Sequence, residues 1–223
     1  MTGSFGRASR RRAVLFSLGV LSIVLAGCSQ SFRQIAIPLP TQTGDPAPLD
    51  RALFAASANG LAAGSVTMVD VPGDTNVGVQ QVGVDPVMIG LTFGGGRAVV
   101  PNSVDNSASS FQTGVPFGTV STTSLPNGSG ANFVGSRQNG KFYITLNSLD
   151  SLAVVDFSLS VVKAVPLTGC SGPQAISQVP GGGSVYVGCA NGEVVVVTPS
   201  DNVVVDNFSV GGNITWLDTS FDG

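Results

Sequence analysis

The 223-residue chain predicts an all-β fold of four-stranded antiparallel sheets stacked radially, and three observations carry that prediction. The first is composition: charged residues make up 10%, hydrophobic residues 43%, and there are 30 glycines. A helical protein of this length would be rich in Glu, Lys, Arg and Leu. Abundant Gly, Val and Ser suits short strands joined by many turns, and the hydrophobic content is too high for a disordered chain. The second is a recurring turn: FGGGRAVV at 93–100, RQNGKFYIT at 137–145, PGGGSVYV at 180–187 and FDG at 221–223. The last glycines of these turns, Gly96, Gly140, Gly183 and Gly223, are spaced by 44, 43 and 40 residues. An earlier copy without the glycine aligns Arg51–Phe54 with Arg97–Val100. The third is that apolar strands recur in phase with the turns. PVMIGLT, ANFVGS, PQAISQV and ITWLDTS precede them; SVTMVDV, SLAVVDF and GEVVVVT, then VGVQQVGV, VVKAVPL and VVVDNFSV, follow.

A single four-stranded sheet cannot bury both of its faces, whereas radial stacking of such sheets can. A repeat of 40 to 45 residues with four strands is therefore the pattern of a β-propeller blade, a generic β-sandwich being the rival. About four blades are expected within residues 51–223. The segment from 101 to 130 interrupts the pattern and reads as an irregular loop holding a degenerate copy at 115–125. Two readings of the chain's end stay open. ITWLDTS (214–220) closes a four-bladed ring by pairing with the N-terminal strands, or the chain is a fragment of a larger propeller, since FDG sits where the next hairpin would turn. The second reading is preferred.

The N-terminus reads as an address rather than as part of the fold. Four of the ten basic residues, Arg7, Arg10, Arg11 and Arg12, precede an apolar stretch from Ala13 to Ala26. That stretch has signal-peptide length and falls short of the roughly 20 residues a spanning helix needs. Leu25-Ala26-Gly27-Cys28 resembles the lipobox of bacterial lipoproteins. The resemblance implies that residues 1–27 are a cleaved signal peptide and that Cys28 becomes the lipidated mature N-terminus. A diacylated cysteine supplies the two chains that stable membrane anchoring needs. The resemblance further implies an extracytoplasmic protein in the cell envelope, with the outer membrane as one destination. Residues 28–50 hold Pro38, Pro40, Pro46 and Pro48 and predict an extended tether.

Beyond the leader six bases face thirteen acids, so the mature surface is acidic. Nucleic acid is excluded as a partner, because phosphate neutralisation needs clustered Lys and Arg. The chain has no histidine, which removes Ser-His-Asp triads, imidazole metal sites and His-based proton transfer.

Within the repeats, Tyr186-Val187 after the glycine triplet, Phe142-Tyr143-Ile144-Thr145 after Asn139-Gly140, and the Val155-Asp156 and Val69-Asp70 pairs resemble the YVTN-repeat β-propeller family. Pro86 and Pro173 occupy the blade-opening position of that pattern. The resemblance is good from about 131 to 223 and fainter from 51 to 130. It implies a propeller without assigning an activity.

The candidate sites are few. Gly181-Gly182-Gly183 leads into a strand with no lysine in the P-loop position, so it predicts a hairpin turn and not a phosphate cradle. Asn191-Gly192 predicts the next hairpin turn. With Cys28 lipidated, Cys170 and Cys189 remain, and antiparallel pairing of 174–179 with 184–189 places Cys189 near Pro173, a few residues from Cys170. A disulfide is expected in an oxidising compartment, the alternative being two free buried thiols. Asp70 and Asp156 end strands and predict turn caps, while Asp105, Asp201, Asp206 and Glu193 form no paired-carboxylate or calcium-loop pattern. Trp216, the only tryptophan, is expected in the core or lining a channel.

No catalytic, metal or cofactor residue is nominated. The function expected is a binding or protein-interaction scaffold whose partner protein the sequence does not name, held at a membrane through Cys28. The alternatives are a lactonase-like hydrolase with its site in missing blades, or an envelope-assembly lipoprotein.

Overall fold

A computed structural model of the chain describes residues 52–71, 75–92, 94–114, 117–136, 140–179, 181 and 183–220. The expected signal peptide (1–27), the lipidation site Cys28 and the tether (28–50) lie outside the described residues. Within the described residues the chain is all-β, apart from one 3₁₀ turn at Asn147–Leu149.

Four antiparallel sheets follow one another along the chain. The first holds β1 (Ala52–Asn59), β2 (Ala62–Asp70) and β3 (Thr75–Val84). The second holds β4 (Gly90–Leu91), β5 (Arg97–Asn102), β6 (Ser107–Gln112) and β7 (Ser121–Ser124). The third holds β8 (Ala131–Ser136), β9 (Lys141–Leu146), β10 (Ser151–Asp156) and β11 (Val161–Pro166). The fourth holds β12 (Pro173–Gln178), β13 (Val185–Cys189), β14 (Glu193–Thr198) and β15 (Val203–Ser209). Each is a simple meander in which consecutive strands pair.

The cores lie between sheets, which explains why the middle strands of the third and fourth sheets are apolar at nearly every position instead of alternating. Phe142, Ile144 and Leu146 of β9 pack with Val99 and Ala108 of the second sheet. Tyr143, between them on the opposite face, packs with Val187, Val195 and Val197 of the fourth. The period of two thus sends successive β9 side chains into two different cores. A further core joins Val66 and Val82 of the first sheet to Ala98, Val100 and Phe111 of the second. Chained burial of this kind makes each sheet depend on its neighbours.

The expected turns form where the glycines stand. Val179 N–H donates to Ser184 O at 3.1 Å, closing the β12–β13 hairpin, and Gly181 sits at φ 81°, a left-handed conformation that glycine adopts without steric cost. Gly181 and Gly183 thus lie between the two strands of a hairpin and not before a helix.

Three expectations are corrected. Residues 101–130 are not an irregular loop: they contain the end of β5, all of β6 and all of β7, which complete the second sheet. Their Ser- and Asn-rich sequence hid the strands, since hydroxyl and amide groups bonded to one another take the place of branched aliphatics. Asn102 Nδ2 donates to Ser107 Oγ at 2.9 Å and to Ser109 Oγ at 3.0 Å, and Ser109 Oγ lies 3.2 Å from Thr122 Oγ1. The strand expected at 86–92 shrinks to β4 plus an isolated Pro86–Asn102 bridge, because Pro86 has no N–H for a ladder. The segment 214–220 joins no ladder among the described residues, and β1 pairs there with β2 alone. The ring-closing pairing, the less favoured of the two readings, is not formed among the described residues: Ile214 N–H donates to Cys189 O at 3.3 Å, and the Gln174 and Thr219 side chains add further bonds between 213–220 and the fourth sheet.

Candidate inner-wall groove

The first strands of successive sheets stand side by side and make one wall. Small residues permit their approach. A Cβ added at Gly90 of β4 would lie 2.9 Å from Val134 Cγ1 of β8, and one at Gly135 of β8 would lie 2.7 Å from Ile176 Cγ2 of β12. The segment 213–220 continues the wall beyond β12. Gln174 Nε2 donates to Ile214 O at 3.0 Å and also bonds Asn213 Oδ1. Thr219 Oγ1 donates to Gln178 O at 3.1 Å and lies 3.2 Å from Ser177 Oγ. Ile214 is buried with Ala175 and Val194, and a Cβ at Gly188 would lie 2.5 Å from its Cγ2.

These four elements enclose a groove of about 210 Å³. Its lining includes Leu91, Ser136, Ser177, Gln178, Trp216 and Asp218. Trp216 is 65% exposed, so it is a groove-wall residue and not core. Its ring meets Phe133 of β8 edge-on, with centroids 5.6 Å apart and planes at 71°, an arrangement that the aromatic quadrupole favours. Gln178 is only 2% exposed: its Nε2 donates to Gly183 O at 3.3 Å, while its Oε1 has no hydrogen-bond partner. Among the described residues the lining contains one carboxylate and no paired base, so they offer recognition groups without a proton-transfer couple.

Cys170 and Cys189 are joined, with Cα atoms 5.5 Å apart. Pro173 faces Cys189 across the β12–β13 ladder, and Cys170 N–H donates to Leu167 O at 3.0 Å, folding the linker back. The bridge sits in the core shared by the third and fourth sheets, beside Tyr143, Leu152 and Val187.

The acids remain dispersed, and among the described residues no three His, Cys, Asp or Glu side chains gather where they could hold a metal. Asp156 caps its turn: Oδ1 accepts from Ser158 Oγ at 2.7 Å and from the N–H groups of Ser158 and Ser160, each at 2.9 Å. The Ser158 hydroxyl, opposed by burial and helped by the N–H groups of Ser160 and Ser158, holds its carboxyl below the ordinary carboxylate range. The turn after Asp70, residues 72–74, lies outside the described residues. Asp105 braces β3, its Oδ2 accepting from Val84 N–H at 3.0 Å.

One recurring role is not legible from composition. Asn106, Asp150 and Gly192 occupy the turn between the second and third strands of successive sheets, at φ 51°, 45° and 86°. Asn106 Oδ1 accepts from Ser129 N–H at 2.9 Å, and Asp150 Oδ1 accepts from Gly172 N–H at 2.8 Å. Each side chain thus clamps the backbone that enters the next sheet. The available signal was a residue type that tolerates left-handed backbone, recurring at intervals of 44 and 42 residues.

No family model matches the chain, and no curated protein matches it. Solved structures do. A functionally unknown protein from Desulfotomaculum acetoxidans is similar at 14% identity and TM-score 0.61, over 76% of this chain and 60% of that one. The Cps50 (Swd1) β-propeller domain of Myceliophthora thermophila is similar at 10% identity and TM-score 0.56, over 74% and 62%. Hydrazine synthase of Kuenenia stuttgartiensis is similar at 18% identity and TM-score 0.57, over 66% and 43%. The chain spans between 43 and 62% of the length of these proteins. At such identities the likeness speaks for the fold alone, and with the sheet topology it makes this chain a β-propeller.

Proposed function

We propose that the chain is a membrane-anchored, extracytoplasmic lipoprotein of the YVTN-repeat kind, whose propeller serves as a binding or protein-interaction scaffold. The observation that carries the reading is the inner-wall groove. An exposed Trp216 braced on Phe133 sits there beside neutral acceptors and one carboxylate, with no acid–base couple among the described residues. A large aromatic side chain held rigid at a concave surface costs little conformational entropy on binding, which is why such side chains anchor interfaces. The lipobox ending at Cys28 supports membrane attachment, and the Cys170–Cys189 bridge is consistent with an oxidising compartment.

Two experiments test the two halves of the reading. Acyl labelling should mark the wild type and disappear in Cys28→Ser; undiminished label in that variant overturns the anchor. Affinity capture from detergent-solubilised membranes, with Trp216→Ala as control, should retrieve a reproducible protein that the variant loses. Identical retrieval by both chains overturns the groove as the scaffold's working surface.

A further inference from the structure

We infer that the inner-wall groove receives a single arginine side chain, presented by an extended segment of a partner protein. The inference rests on the scaffold reading and names its ligand class. Three observations carry it, beginning with size. A groove of about 210 Å³ falls below the roughly 300–1,000 Å³ of sites that enclose a whole small-molecule ligand, and suits one long side chain.

The second observation is the set of groups that meet there. Trp216 and Asp218, two residues apart in the segment that follows the fourth sheet, both line the groove. They do so together with Gln178, whose buried Oε1 lacks a partner, while Asp218 Oδ1 accepts from Thr219 N–H at 2.9 Å and leaves Oδ2 for a ligand. An indole, a carboxylate and an unpaired acceptor all favour a donor-rich cation, and among the described residues no lysine or arginine lines the groove. A guanidinium stacks on an indole and forks onto a carboxylate, which an ammonium does less well.

The third is charge. The described residues carry Arg97, Lys141 and Lys163 against nine acids. Arg97 Nη1 donates to Ser110 Oγ, Lys141 Nζ to Pro199 O and Lys163 Nζ to Asp201 O. The described surface is therefore net acidic, which favours a cationic partner over an anionic one. A neutral sugar could use the same ring but gains nothing from that charge.

The test uses the full lipidated chain in nonionic detergent and the fluorescein-labelled peptide Gly-Ser-Arg-Ser-Gly, followed by anisotropy. Emission of Trp216, the only tryptophan, reports occupancy independently in the wild type. Saturable binding is expected, weakening as salt rises. The citrulline peptide, equal in shape but uncharged, should bind about tenfold more weakly, and Trp216→Ala should lose about as much. Asp218→Asn, an isosteric change at an exposed position, should weaken binding about fivefold and flatten the salt dependence. It keeps the test decisive if Trp216→Ala unfolds.

Equal binding of the citrulline peptide, an unaltered Asp218→Asn, or a Trp216 emission change produced instead by chitotriose each overturns the inference. Agmatine binding more tightly than the peptide overturns a protein-borne source. Failure of the titration, with membrane capture still retrieving a protein that Trp216→Ala loses, leaves the scaffold reading standing and removes only this inference.

Discussion

The third strand of the second sheet reads Ser-Ala-Ser-Ser-Phe-Gln, and its counterpart in the fourth reads Glu-Val-Val-Val-Val-Thr. The two stand at the same place in their sheets and are about equally buried. β14 is held by side-chain packing: Val195 and Val197 enter the core shared with the third sheet, and Val194 packs towards Ile214. β6 is held in large part by hydrogen bonds, with Ser109 and Ser110 fully buried and the Asn102 amide spanning Ser107 and Ser109. A blade position thus tolerates either chemistry, even with Asn102 Oδ1 left as a buried acceptor without a partner. An apolar strand needs apolar neighbours on both faces, and a hydroxyl-bearing strand needs a partner for every hydroxyl.

Exchanging the two chemistries is the sharpest way to break this comparison. Val195→Ser puts a hydroxyl where the surrounding side chains are Tyr143, Val187 and other apolar groups. Lost methyl burial and an unpartnered hydroxyl should together cost about 3 to 4 kcal/mol, read as a fall in the urea midpoint. A change below about 1 kcal/mol would show that the fourth sheet can recruit polar partners as the second does.

The disulfide belongs to the apolar side of the comparison. It closes a loop with a sequence separation of 19, and its removal in Cys170→Ala/Cys189→Ala should cost about 3 kcal/mol by the chain-entropy relation. Hydrogen exchange should rise first in β12 and β13 and leave β5 and β6 protected. Uniform loss across all four sheets would mean that the sheets do not open separately. Intact mass should show that Cys170 and Cys189 take up alkylating reagent only after reduction.

On the polar side, Asn102→Ala strips partners from Ser107 and Ser109 and should cost about 2 kcal/mol. Asn102→Asp, which keeps the shape but loses the donors, should be no better; full rescue by it would show that the amide donors do not matter.

The smallest effect concerns Asp156. Its carboxyl is held below the ordinary range by Ser158 and the following N–H groups, so it stabilises the fold at neutral pH. A depressed carboxylate gives up that contribution as pH falls through its folded pKa. The melting temperature of the wild type should therefore drop slightly more between pH 5 and pH 2 than that of Asp156→Asn, an exposed turn cap contributing little. Parallel curves would remove Asp156 from the acid response.

How much was legible in advance tracks the same division. The third and fourth sheets could be read directly, because Phe142-Tyr143-Ile144-Thr145 and Val194–Val197 carry strand propensity in the residue types themselves. The Cys170–Cys189 pairing followed from one hairpin register, a local relation. The second sheet was misjudged at β6 and β7, since a serine does not reveal whether its hydroxyl will meet Asn102, Thr122 or water. Groove residues were hardest. Trp216, Gln178 and Phe133 lie far apart in the chain, and nothing local marks them as neighbours.

The sequence by itself therefore determined the all-β class, the period of about 43 residues, the hairpin turns and the register that brings the cysteines together. Each depends on contacts within one sheet, where residue type and spacing set the geometry. Only the tertiary structure decided which face of each strand enters which core, that Asn106 and Asp150 clamp the entry to the next sheet, and that Trp216 stands exposed over Phe133 instead of lying in a core. Those outcomes depend on how closely whole sheets approach at Gly90 and Gly135, a distance set by two sheets at once and so written in neither alone.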